Sequence, residues 1–252
     1  MNETVQDNHC DKASNNSKYY DVFWQDLGRD LHYTEVMRGK FIVNSFQEFV
    51  GGTEKQILDL GCGRGWMATF LSPFGKVQGV DFSPKGIEFA KANYGQYGEF
   101  HLANPASETL GLDNDLRFDV VVNSEVIEHA ENPVTLIKQI RNFLKPQGWL
   151  LMTTPNGNVW PEWETDRRFV HTLQPVENWL KPSRLSQILR AEGFSIHLHE
   201  GRPMYEFRVR NHPWLQRQIF HRLFTALGWE RKYFRRILMD ALYQVVVARL
   251  NE

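Results

Sequence analysis

A mostly parallel β-sheet with helices on both faces is the architecture this sequence predicts, and three observations predict it. Short apolar runs alternate with helical patterns from Gln56 onward. The strand-like Ile57-Leu58-Asp59-Leu60 opens directly into three alternating glycines. A second strand, Val77-Gln78-Gly79-Val80, ends in an acid, Asp81. Strands alternating with helices need crossover connections, and these put helices on both faces of an α/β sheet. A chain of 252 residues, 42% hydrophobic and with a formal charge of -1, fits one such domain with appended segments.

Taken in order, Met1 to Ser17 is polar, rich in Asn and Asp, and has nothing to bury, so residues 1–17 are expected to be a disordered leader and 18–252 a single domain. Lys18 to Trp24 is dense in aromatics. Phe41, Ile42, Phe46, Phe49 and Val50 then recur at helical spacing before the Gly51-Gly52 stop, so helices precede the sheet over 18–52. Strands are expected at Ile57–Leu60, Val77–Val80, Glu99–Leu102, Phe118–Asn123, Trp149–Thr154, Phe194–His199 and, last, Ala241–Leu250. Between them lie helical stretches at Trp66–Leu71, at Ser83–Tyr94 with its Ser83-Pro84 start, and at Lys181–Glu192, closed by Gly193. Ala130–Gln147 carries the clearest pattern: Asn132 as cap, Pro133 in the first turn, and an apolar stripe of Leu136, Ile137, Ile140, Phe143 and Leu144.

Residues 53–200 thus form the core, and 201–240 is longer than a hairpin loop requires. That segment is basic, with Arg202, Arg208, Arg210, Arg217 and Arg222 among its charges, and a helical wheel gathers Leu215, Ile219, Phe220, Leu223, Phe224 and Leu227 on one side. Such an insertion suits peripheral membrane contact, a cover over an anionic substrate, or plain packing on its own domain or a dimer partner. The near-zero net charge gives no global case for nucleic acid. Cys10 and Cys62 cannot build a disulfide framework, and Cys62 reads as a small buried thiol. No apolar run reaches the ~18 residues of a membrane span, and the N-terminus lacks a signal-peptide apolar core, which points to the cytoplasm.

The glycine spacing selects the ligand. A dinucleotide loop would read Gly-x-Gly-x-x-Gly and seat a pyrophosphate on the helix N-terminus. Here the run is Asp59-x-Gly61-x-Gly63-x-Gly65. An acid beside the loop repels a pyrophosphate and suits a cationic amino-acid moiety. Asp81, roughly 20 residues on at the tip of the second strand, stands where βαβ nucleoside sites place a ribose-hydroxyl acceptor.

These two motifs together resemble those of class I S-adenosylmethionine-dependent methyltransferases. The later wording, Asn123-Ser124-Glu125-Val126-Ile127-Glu128-His129 with Lys181-Pro182-Ser183-Arg184-Leu185, is similar to that of ubiquinone-biosynthesis O-methyltransferases. The resemblance implies a Rossmann-like fold of seven strands closed by an antiparallel hairpin, N-terminal helices folded over the cofactor as a lid, and S-adenosylmethionine as cofactor. It implies that Arg38 meets the methionine carboxylate and that Asn104 reads the adenine amino group, although Asn104-Pro105-Ala106 departs from the commoner Asp-Ala wording. Asp59, Gly61, Gly63, Gly65, Asp81, Phe82 and Ser124 complete the expected cofactor set.

Glu125, Glu128 and His129 stand at i, i+3 and i+4, so a helical turn there would put all three on one face. Similar Glu-x-x-Glu-His sequences hold a divalent ion in some ubiquinone-pathway enzymes and small-RNA 2′-O-methyltransferases. That makes Mg a candidate cofactor, with His171 as a further ligand; the alternative is that Glu-His simply ends the motif with no metal. For the chemistry, one proton must leave the acceptor, and His129, then His171, are the candidate bases, each with a purely structural role as the alternative. The expected function is O-methylation of a small-molecule phenolic or sugar hydroxyl. The alternatives are N-methylation, RNA 2′-O-methylation served by the basic insertion, and cofactor binding without catalysis in a regulator.

Overall fold

A computed structural model describes residues 19, 21, 30–105, 116–159, 176–202, 226 and 241–252. The leader, His171, Trp160, Trp163 and nearly all of the basic insertion lie outside the described residues. Seven strands form one sheet in the order β3-β2-β1-β4-β5-β7-β6. They are β1 (Lys55–Leu60), β2 (Gly75–Asp81), β3 (Glu99–Leu102), β4 (Phe118–Ser124), β5 (Leu144–Pro155), β6 (Phe194–Arg202) and β7 (Tyr243–Leu250). The pairs β1 with β2, β1 with β4, β2 with β3 and β4 with β5 are parallel. β7 slots antiparallel between β5 and β6. The expected closing hairpin is therefore present, and its first strand runs on past His199 to Arg202 while its second begins at Tyr243 rather than Ala241.

The helices are α1 (Tyr33–Ser45), α2 (Ala68–Leu71), α3 (Pro84–Tyr94), α4 (Pro133–Phe143) and α5 (Pro182–Ala191). Side chains on a strand alternate between faces, so each face of this sheet has its own core. Val121 on β4, Leu58 and Leu60 on β1, and Leu150 and Met152 on β5 meet Leu136, Ile137 and Ile140 of α4 and Leu185 and Leu189 of α5. Their strand neighbours Ile57, Val120, Val122 and Leu151 meet Ile42 of α1, Leu71 of α2 and Ile87 and Ala90 of α3. Each fully buried aliphatic side chain contributes about 1.5–3 kcal/mol, so two dry faces fix both the register and the side on which each helix packs.

Local signals explain the element ends. α1 continues through a π-helical turn, Phe46–Val50, and stops where Gly51, at φ +63°, donates its N–H to the Phe46 carbonyl at 2.9 Å. Ser83 caps α3, its Oγ accepting from Gly86 N at 3.0 Å. Asn132 caps α4, its Oδ1 accepting from Val134 N at 3.0 Å. Three expectations fail locally. The helix expected over Ala130–Gln147 spans only Pro133–Phe143, because Pro146 drives Lys145 toward extended backbone and Leu144 already pairs with Phe118. The segment Trp66–Leu71 is helical only from Ala68, since Gly65 turns the chain at φ +83°. Ile127–His129 is a 3₁₀ turn, with Glu125 outside it at φ +58°.

Candidate functional site

The strand order reverses at β1, which lies between β2 and β4, and ligands of open α/β sheets lie beyond the carboxyl ends of the strands at such a switch point. The loop after β1 shapes this region. Gly61, Gly63 and Gly65 have φ of +83°, +52° and +83°, a region that L side chains seldom adopt. Gly61 N and Cys62 N donate to the Val80 carbonyl at 2.8 and 3.0 Å, which clamps the loop to the end of β2. Cys62 is buried and its thiol is pushed well up by burial and by Asp59 and Asp81, so it is packing, as expected, and not a nucleophile.

Two buried acids flank this loop. Asp81 accepts from Gly63 N and from Ser83 N, both at 2.9 Å. Burial pushes its carboxyl up to about 6 against the pull of those N–H groups and that of Phe82. Asp59 is 2% exposed, and its Oδ2 has no hydrogen-bond partner among the described residues. Burial first, then the neighbouring Asp81, raises it to about 7. An acceptor that deep calls for a cationic donor, because an unmatched buried oxygen costs about 1–3 kcal/mol. Beside β2, Ala103 N donates to the Asp81 carbonyl at 2.9 Å, which holds the exposed Asn104 near the same corner. From the N-terminal region, Asp21 accepts from Ser83 Oγ at 2.6 Å and Lys85 N at 3.1 Å, reaching across to the start of α3.

Arg38, on α1, stands over Trp66 with its guanidinium carbon 5.8 Å from the ring centroid. Its Nη1 lies 3.7 Å from Glu125 Oε2, and its buried Nε has no hydrogen-bond partner among the described residues. A guanidinium held this loosely retains donors for an anion.

The ends of β4 and β5 carry the remaining candidates. Ser124 Oγ and Thr153 Oγ1 are 2.8 Å apart, and Thr153 Oγ1 donates to Glu125 Oε1 at 2.9 Å. Thr154 Oγ1 donates to Glu128 Oε2 at 2.9 Å. Burial raises both glutamates, and their mutual repulsion adds to the rise at Glu125. His129 Nδ1 lies 3.0 Å from the Val176 carbonyl. A carbonyl only accepts, so Nδ1 carries the proton of the neutral ring and Nε2 holds the lone pair, 3.7 Å from Glu128 Oε1. Burial lowers the pKa of His129 below its usual value, so the neutral ring dominates at pH 7.

The expected metal set is not assembled. Among the described residues no three His, Cys, Asp or Glu side chains are placed to hold an ion. Glu125 leaves the turn at φ +58°, and each carboxylate is engaged by a threonine hydroxyl. Nothing among the described residues thus supports Mg, and His171 lies outside them.

The sequence reading passed over four contributors. Thr153 and Thr154 were visible only as a strand end. Asn178, whose N–H donates to the Glu128 carbonyl at 2.6 Å, left no local signal. Arg64 looked like a variable position of the glycine loop, yet it is fully buried and bonded to Glu35 at 2.7 Å.

A methyltransferase-domain family model matches residues 33–199, the larger part of the chain. The ubiquinone biosynthesis O-methyltransferase of Cereibacter sphaeroides is 37% identical over 105 residues, 41% of this chain and 42% of that enzyme. The match therefore spans less than half of that relative's length. The enzyme of the same name from Coxiella burnetii is 28% identical over 207 residues, covering 77% of this chain and 86% of its own. Among solved structures, the N-methyltransferase NodS of Bradyrhizobium japonicum, in complex with S-adenosylhomocysteine, superposes with a TM-score of 0.62 at 14% identity, over 94% of this chain and 100% of NodS. That likeness is one of fold. Family match, sheet order and the acid-flanked glycine loop agree: the chain belongs to the class I S-adenosylmethionine-dependent methyltransferases.

Proposed function

We propose that this protein transfers the methyl group of S-adenosylmethionine to a phenolic or sugar hydroxyl of a small molecule. When bound, the cofactor supplies an activated methyl on a sulfonium; the rest falls to the residues of this chain. Asp59, with its unmatched buried oxygen, takes the ammonium group, and the carboxylate goes to Arg38. Asp81 already accepts backbone N–H groups from Gly63 and Ser83, with Phe82 adding to them, and the acceptor capacity that remains goes to the ribose diol. Asn104 would meet the adenine, and Ser124, at the end of β4, would face the methyl-bearing end of the cofactor.

The observation that carries the reading is the 3.0 Å contact of His129 Nδ1 with the Val176 carbonyl. It puts the proton of the neutral ring on Nδ1 and leaves Nε2 as the basic nitrogen, at the strand end where ligands of open α/β sheets lie. Bound here, the sulfonium would offer its methyl to an acceptor hydroxyl held in line with it, and His129 Nε2 would take the hydroxyl proton. The relatives named as O-methyltransferases of ubiquinone biosynthesis support oxygen as the acceptor atom.

The test is methyl transfer from labelled S-adenosylmethionine to a panel of catechols, polyhydroxybenzoates and sugars. H129Q is expected to lower kcat by about 10²–10⁴ while S-adenosylhomocysteine binding stays unchanged. Because the pKa of His129 is lowered, the acid limb of the kcat/KM profile should fall below about 6.5 and vanish in H129Q. Full activity in H129Q would remove its role as base.

A further inference from the structure

The geometry points to the buried Arg64–Glu35 pair as the device that aims Arg38 at the amino-acid end of the cofactor; the inference rests on the carboxylate role proposed for Arg38. Glu35, Arg38 and Gly39 stand at i, i+3 and i+4 on α1, so they share one face. All three meet the segment that follows β1. Arg64 Nη2 lies 2.7 Å from Glu35 Oε2, Arg38 stands 5.8 Å from the Trp66 centroid, and a Cβ on Gly39 would come within 2.9 Å of the Phe70 ring. The N-terminal half of the helix is thus seated on the cofactor loop and on α2, with Arg38 between the other two contacts.

A charged pair is an unusual choice for such a seat. Arg64 is 0% exposed and Glu35 5%, and two charges at that depth lose most of their mutual attraction to desolvation. What a buried pair supplies is register. Sliding α1 by one turn, about 5.4 Å, would strand both charges and carry Arg38 off the cofactor. Neighbouring groups complete the arrangement: Arg64 Nη2 also donates to the Asp30 carbonyl at 3.1 Å, and Glu35 Oε2 also accepts from His32 N at 2.9 Å. Arg64 belongs to the loop that cradles the cofactor and Glu35 to the helix that carries its carboxylate partner. The two are positioning residues that act through Arg38.

The experiment compares two ligands by calorimetry: S-adenosylhomocysteine, and 5′-methylthioadenosine, which lacks the amino-acid end. E35Q is measured beside E35L/R64M, in which no uncompensated charge is left in the interior. Both variants should bind S-adenosylhomocysteine about tenfold more weakly or worse and methylthioadenosine within about twofold of the parent. If both ligands weaken alike, the pair is merely structural, and if neither weakens it has no part in binding; either result overturns the inference. R38M on the same two ligands keeps the readings apart. Equal effects of R38M on both would remove the carboxylate role of Arg38 itself. A split in R38M that E35Q and E35L/R64M fail to show would remove only the positioning by Arg64 and Glu35.

Discussion

Burial and the neighbouring Asp81 hold the Asp59 carboxyl at about 7, and its Oδ2 has no partner among the described residues. A folded-state pKa raised above the unfolded value of about 3.9 means that the folded protein binds this proton more tightly. The resulting stability is complete below the unfolded pKa and is lost as pH rises through the folded one. Without cofactor, the melting temperature should therefore fall between about pH 4 and pH 7, and D59N, which cannot ionise, should make that slope shallower while the raised Asp81, Glu125 and Glu128 keep the rest of it. The same substitution removes the anion meant for the cofactor's ammonium, so S-adenosylhomocysteine should bind at least about tenfold more weakly. Thermal melts across pH beside calorimetry check both halves, and D59N with unchanged affinity would remove the assignment. Asp59 and Asp81 were legible in the sequence because backbone geometry fixes their spacing from the glycines. Glu125 stands out in the sequence too, but on a helical turn with Glu128 and His129; its φ of +58° carries no local mark, and the threonine hydroxyl and Arg38 around it define its place.

Among the elements, the loop between β1 and α2 has the least freedom. A Cβ on Gly61 would sit 2.4 Å from Val126 Cγ2, and the residue's φ is +83°. G61A therefore combines a clash with a strained backbone, and it should abolish measurable cofactor binding while lowering stability by about 1–3 kcal/mol. V126A removes the two closest contacts, keeps the Cβ at 3.2 Å and leaves the strain, so G61A/V126A should recover part of the stability; denaturant unfolding of the two variants separates the contributions. The glycine pattern announced this constraint in advance, as Ser83-Pro84 and Asn132-Pro133 announced the starts of α3 and α4. The ends were harder to read. The apolar stripe of α4 runs on into Leu144, yet Leu144 belongs to β5, because pairing with Phe118 and burial against the sheet outweigh helical periodicity at a residue so near Pro146. The 3₁₀ turn at Ile127–His129 likewise depends on the segment before α5, where Asn178 holds the Glu128 carbonyl and Val176 the His129 imidazole across a long stretch of sequence.

At the scale of the molecule, one sheet carries both cores, and the cofactor crevice lies along the ends of the same strands that separate them. Residues from β1, β2, β4, β5 and α1 contribute to it, so ligand binding couples to the cooperative unfolding of the whole domain. A ligand that binds only the folded state stabilises it by about 2.7 kcal/mol at a hundredfold excess over its Kd. For a domain of this size each kcal/mol shifts the melting temperature by about 2–4 °C, so S-adenosylhomocysteine at that excess should raise it by about 5–10 °C. A nicotinamide dinucleotide at the same concentration should leave it unchanged, because Asp59 and Asp81 flank the loop where its pyrophosphate would have to lie. A thermal shift assay with the two ligands decides between them: a shift from the dinucleotide with none from S-adenosylhomocysteine would mean that the acids do not select the ligand as their burial and charge require.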